Sequence, residues 1–151
     1  MDSFMGWIGG KRMLRKAILE RFPTDKVERY IEVFGGAAWV LFAKEKQAGQ
    51  LEVYNDINGN LVNLFRCVKY HCGELQREFD WLLSSREQFF DYVAQANMRG
   101  LTDIQRAARF FYMVKLSFGS EHRTYGTSKK MVDNAVERLT AIKERLRGVN
   151  I

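Results

Sequence analysis

Between residues 29 and 58 the chain carries a pattern that few folds can accommodate. Arg29-Tyr-Ile-Glu-Val-Phe34 has the β-branched and aromatic content of a buried strand, and it runs straight into Gly35-Gly36. Residues 37–46 read as a helix ended by the Gly49 turn, and Leu51-Glu-Val-Tyr54 as a second strand closed by Asn55-Asp-Ile-Asn58. Two strands joined through a helix run parallel, since only a crossover returns the chain to the same end of the sheet. The ligand of such a βαβ unit lies beyond the carboxyl ends of its strands, which sets residues 32–36 and 55–58 side by side.

The rest of the sequence is helical in character. Residues 11–22 place Met13, Leu14, Ala17, Ile18 and Phe22 on one helical face, and Pro23 closes that helix. Residues 57–70 repeat the helical period through Ile57, Leu61, Leu64, Phe65 and Val68. Further helices are expected over residues 74–83, 86–97, 102–117 and 131–147. Thr102 and Gln105 form a capping box, and the apolar circumference of the following helix marks it as central. The polar, basic stretch 117–130 is the longest loop, and long loops in compact domains are often functional.

One proline and no Gly/Ser-rich linker leave no boundary between separately folding domains in 151 residues. A net charge of +6 favours a polyanionic partner such as nucleic acid. Cys67 and Cys72, with His71 and His122 the only histidines, are too few for a zinc site and read as free thiols of a reducing compartment. No metal is expected. No signal-peptide pattern and no apolar run of about 20 residues occurs, so a cytoplasmic location without membrane contact is the expectation.

Three segments could hold a ligand. In Phe4-Met-Gly-Trp-Ile-Gly-Gly-Lys11 the paired glycines allow close backbone approach, Lys11 at a helix start attracts an anion, and Trp7 can pack on a flat heteroaromatic ring. Glu32-Val-Phe-Gly-Gly-Ala-Ala38 lets a nucleoside approach the strand end, although it is not the dinucleotide fingerprint. Asp56, about 20 residues beyond the glycines, can accept hydrogen bonds from both ribose hydroxyls or simply cap the next helix. Each segment alone is weak; in this order they suggest a nucleoside carrying an amino-acid tail.

Together with Leu61-Val-Asn-Leu-Phe65, the 101–112 stretch and Ser117-Phe-Gly119, these segments resemble the Dam-like (D12 class) adenine-specific DNA methyltransferases, above all their phage and prophage variants. The resemblance runs across nearly the whole chain. It implies an α/β fold: an incomplete Rossmann-like methyltransferase core of about two parallel strands plus helices over residues 1–69, then a helical DNA-recognition region over 70–148, with 149–151 beginning a further strand. It implies S-adenosylmethionine held by Trp7, Gly9, Gly10, Lys11, Glu32, Phe34, Gly35 and Gly36, with Asp56 on the ribose. It implies double-stranded DNA as partner, contacted by His122, Arg123, Tyr125, Lys129 and Lys130, where basic groups reach phosphates or guanine edges and Tyr125 packs beside a displaced base.

Two departures stand out. The family commonly has proline where this chain has Val33. The family's catalytic Asp-Pro-Pro-Tyr motif does not occur here, since Pro23 is the only proline. That motif accepts hydrogen bonds from the adenine amino group and stacks on the flipped base. No catalytic residue is therefore assigned. The expectation is a truncated or split enzyme, inactive alone, with a second chain or a second copy covering the open sheet edge. The alternative is a non-catalytic DNA-binding or partner-binding remnant of the scaffold.

Overall fold

A computed structural model describes residues 1–126 and 136–151. Three parallel strands form one sheet in the order β1 (Arg29–Glu32), β2 (Leu51–Tyr54), β3 (Val149–Asn150). Tyr30 pairs with Glu52, Glu32 with Tyr54, and Glu52 again with Val149. Because side chains alternate along a strand, Tyr30, Glu32, Glu52, Tyr54 and Val149 share one face. Arg29, Ile31, Leu51 and Val53 share the other. Among the described residues, helices cover only the first face.

Seven α-helices surround it among the described residues: α1 (Arg15–Leu19), α2 (Trp39–Ala43), α3 (Gly59–Tyr70), α4 (Cys72–Phe79), α5 (Arg86–Ala94), α6 (Asp103–Leu116) and α7 (Leu139–Leu146). α3 packs on α6 and α7, and α4 on α6, so one core joins the sheet to the helical part. Phe4, Phe42, Tyr54, Phe65 and Phe111 form its aromatic centre, with Tyr54 stacked on Phe65 at 4.1 Å. α6 is central as its pattern requires: Ala107, Ala108, Phe110, Phe111, Tyr112, Met113 and Val114 are all buried, and the Thr102–Gln105 capping box is formed. The Tyr112 hydroxyl pins the start of α5, donating toward Leu83 O at 2.6 Å and accepting from Ser85 N at 3.0 Å.

A buried ion triad ties the sheet to two helices. Arg145 of α7 forms a bidentate pair with Glu52 at 2.7 and 2.9 Å, and Lys44 reaches the same carboxylate at 3.0 Å. Arg145 also donates to Leu41 O, within α2, at 2.7 Å. Burial raises the Glu52 pKa, but the two cations outweigh it and the group lies below the usual carboxylate range.

Several boundaries differ from the sequence reading. α1 is only one turn and a half, with no buried residue, and Met13 is 89% exposed. Its inner side is taken by Arg12 and Arg15, whose guanidinium groups lie 5.5 and 5.3 Å from the Trp39 ring centre. α2 begins at Trp39 rather than residue 37, since Gly36 and Ala38 both take left-handed backbone angles in the turn. α3 begins at Gly59, where the Asn58 side chain accepts from Asn60 N and Leu61 N, and this leaves Ile57 wholly outside. β1 is not buried on both faces: Ile31 is 54% exposed, and Val33 just beyond the strand 52%, because no described element covers that side. The start of the helix expected over 131–147 lies outside the described residues; its described part is α7.

Candidate functional site

At the carboxyl ends of β1 and β2 the chain folds into a cleft of about 260 Å³. Its walls are Trp7, Ile8, Gly9, Gly10, Lys11, Glu32, Phe34, Gly35, Gly36, Ala37, Trp39 and Asp56. All nine residues singled out for the cofactor are therefore brought to one place. The parallel crossover does this: it delivers the ends of both strands and the 35–38 turn to the same edge, and residues 4–11 pack across it.

The glycines are required by close approach. A Cβ on Gly35 would lie 2.7 Å from Cδ2 of the Tyr54 ring and nearer still to Cε2. Gly36 has φ +49°, and a Cβ there would meet Trp7 Cδ1 at 2.9 Å. The turn is clamped from below: Tyr54 Oη donates to Gly36 O at 2.7 Å, and Gly36 N donates to Asp56 Oδ2 at 2.8 Å. Asp56 Oδ1 accepts from Asn58 N at 2.8 Å. Asp56 thus fixes the glycine turn and the entry to α3, while the helix cap itself is Asn58.

Glu32 is the most perturbed acid of the cleft. Burial lifts its pKa to about 7, against the opposing pull of the first N–H groups of α2, at Leu41 and Val40, and of the Tyr30 hydroxyl. Its Oε2 is buried with no hydrogen-bond partner. In the unfolded chain the same carboxyl titrates near its ordinary 4.5. The folded form holds the proton more tightly, so stability falls as pH rises from 4.5 to about 7. Glu32→Gln is expected to be more stable than the parent at pH 8, by on the order of 3 kcal/mol, and equal to it below pH ~4.5. Urea unfolding at the two pH values measures this.

Over its described residues, 117–126, the loop singled out for DNA is closed by backbone contacts. Ser117 and Tyr125 form an antiparallel bridge, Phe118 N donates to Thr124 O at 2.9 Å, and Gly126 N to Leu116 O at 2.7 Å. Arg123 is exposed at its tip. Tyr125 is half-buried, edge-on to Phe89, with its hydroxyl 3.4 Å from Ser84 O. His122 turns inward, its ring centre 5.3 Å from those of both Trp7 and Phe110. Lys129 and Lys130 lie outside the described residues.

Comparison with known proteins decides the family. The model of the D12 class N6 adenine-specific DNA methyltransferases matches residues 7–130, most of the chain. The chain belongs to this family. It is 30% identical, over its whole length, to the Type II methyltransferase M1.LlaDCHI of Lactococcus lactis subsp. cremoris, of which it covers 57%. It is 26% identical over 82% of its length to the Type II methyltransferase M.MjaIII of Methanocaldococcus jannaschii, of which it covers 48%. The chain spans about half the length of the curated relatives it matches.

Within this D12 class chain, sequence reasoning missed Ile8, Ala37 and Trp39 in the cleft wall. Trp39 carried a usable signal: it opens the helix that follows the glycine turn, where a side chain faces the strand ends. His122 is expected from sequence to contact DNA, and its inward packing carried no signal, because a histidine in a basic loop reads as solvent-facing. No described helix is long and apolar enough to cross a membrane.

Proposed function

We propose that this chain is the cofactor-holding and DNA-contacting portion of an S-adenosylmethionine-dependent DNA adenine methyltransferase of the phage and prophage type. The observation that carries the reading is the cleft: the nine residues chosen from sequence converge on it, and the buried, unpartnered Glu32 Oε2 lines the same wall. The donor set suits a nucleoside with an amino-acid tail. Trp7, Phe34 and Trp39 offer flat apolar surface, the glycines offer close backbone approach, Glu32 suits an ammonium, and Lys11 a carboxylate. Asp56 retains lone pairs for ribose hydroxyls beside the two N–H groups it already accepts. When bound, S-adenosylmethionine supplies the methyl group; this chain binds and orients it.

Isothermal titration with S-adenosylhomocysteine tests the reading. An ammonium beside Glu32 favours the ionised carboxylate, so binding below pH ~7 releases a proton. Affinity is expected to rise with pH from 5 to 7, by no more than about tenfold per unit, and to level off above. Glu32→Gln should bind more weakly and lose the pH dependence. No measurable binding at pH 8 would refute the cofactor assignment.

The family's Asp-Pro-Pro-Tyr does not occur in these 151 residues. We assign adenine activation to a segment outside this sequence, in the same polypeptide or a second one, seated on the sheet face that exposes Ile31, Val33 and Leu51. Parallel sheets bury both faces, which supports that assignment. Purified alone, the chain is expected to transfer no methyl group to unmethylated DNA in a tritium assay. The +6 net charge also favours a second reading, a non-catalytic DNA-binding remnant or a module that binds a protein partner. Salt-dependent duplex binding without any cofactor affinity would select a DNA-binding module.

A further inference from the structure

Trp7 is packed by residues from three segments. Gly36 approaches so closely that even a methyl group there would collide with its ring. Phe110 of α6 stands with ring centres 6.1 Å apart, and His122 of the loop at 5.3 Å. The loop touches the same segment a second time, since a Cβ on Gly6 would meet Ser120 Oγ at 2.6 Å. Residues 118–122 therefore clasp residues 6–7, and Trp7 is both the floor of this contact and a wall of the cleft.

The clasp is held in a strained backbone. Gly119, Ser120 and His122 have φ of +58°, +61° and +62°, and the last two carry side chains. In residues that carry side chains such conformations persist only where surrounding contacts enforce them. His122 is also costly in its polar atoms: Nε2 is buried without a partner, and burial lowers its pKa, so the ring packs in its neutral form. A residue chosen for core packing alone would be an apolar one in an ordinary conformation.

We propose that His122 is a positioning residue for the Trp7 wall of the cleft, through which a duplex engaging the 117–126 loop alters the cofactor site. The proposal rests on the reading of the cleft and loop given above. A duplex that draws on exposed Arg123, the next residue, pulls directly on His122. Trp7 packs directly on the His122 ring, so a shift of His122 is passed to Trp7. Seating of DNA and shape of the cleft are thereby one event.

The chain labelled with 5-fluorotryptophan carries three probes, at Trp7, Trp39 and Trp81, and Trp7→Phe assigns the first. Adding unmethylated duplex, without cofactor, is expected to move the Trp7 fluorine resonance. His122→Asn removes the ring but tolerates the left-handed backbone. At duplex concentrations that saturate the variant, it should leave the Trp7 resonance unmoved. His122→Phe, which keeps a ring, should restore the movement. With S-adenosylhomocysteine present, duplex should change its affinity by about fivefold or more in the parent and not in His122→Asn. A Trp7 resonance that is silent to duplex in the parent, or that moves equally in folded His122→Asn, overturns the proposal. Should His122→Asn not fold, the parent and His122→Phe measurements still decide it. Absent S-adenosylhomocysteine binding would sink the cofactor reading alone, because the resonance is read without it.

Discussion

Replacing Glu52 by alanine is expected to lower the unfolding free energy by about 3–5 kcal/mol, the cost of leaving a buried cation uncompensated. Two cations are stranded here: Arg145 and Lys44 are almost wholly buried and converge on this one carboxylate. Chemical denaturation at pH 7 measures the loss. The same contribution is tied to pH. The Glu52 pKa is depressed by its partners, so its stabilisation is present above the ordinary carboxylate range and disappears as pH falls through the lowered value. A triple replacement, Lys44→Met, Glu52→Leu and Arg145→Met, removes all three charges and should cost much less than Glu52→Ala alone. A similar loss in both variants would mean that lost packing, rather than stranded charge, governs the site. The triad matters for function because Arg145 also grips Leu41 O, so the helix behind the cleft is anchored through it.

Gly35→Ala is the second large effect. The added methyl group has no room, since it would fall on the Tyr54 ring. That ring cannot retreat: it is buried, stacked on Phe65 and hydrogen-bonded through its hydroxyl to Gly36 O. Overpacking of this kind costs about 1–3 kcal/mol or more. The relief available is to displace the 35–38 turn, which breaks the Gly36 N to Asp56 bond and distorts the cleft wall. Affinity for S-adenosylhomocysteine should fall at least tenfold, while Gly49→Ala, in an open turn with nothing nearby, should leave it unchanged. Equal affinities in the parent and Gly35→Ala would show that the turn does not shape the binding surface.

Much of this molecule is written in local pattern. The period-two runs at 29–32 and 51–54, the glycine turn between strand and helix, and the Thr102–Gln105 box each act over a few residues. Their identity needs no knowledge of distant neighbours. The parallel crossover then follows from topology, and with it the meeting of Glu32, Gly35, Gly36 and Asp56 at one edge.

What sequence could not supply depends on partners far along the chain. Residues 13 and 14 have a good helical period, yet they face outward because Arg12 and Arg15 have already taken the Trp39 ring. Asp56 looks like a helix cap, but the return of the glycine turn places Gly36 N within its reach and hands the cap to Asn58. His122 looks like a solvent-facing base in a basic loop. Only the packing of residues 118–122 on residues 6–7 and on α6 turns it inward. The sequence by itself determined which short elements form and which residues meet at the strand ends, since periodicity, capping and turn sterics are local. Tertiary structure decided which faces are buried, which charges are stranded without their partners and which loop leans on the cleft. Those depend on contacts between distant segments, Trp7 and His122 being 115 residues apart, and no spacing along the chain records them.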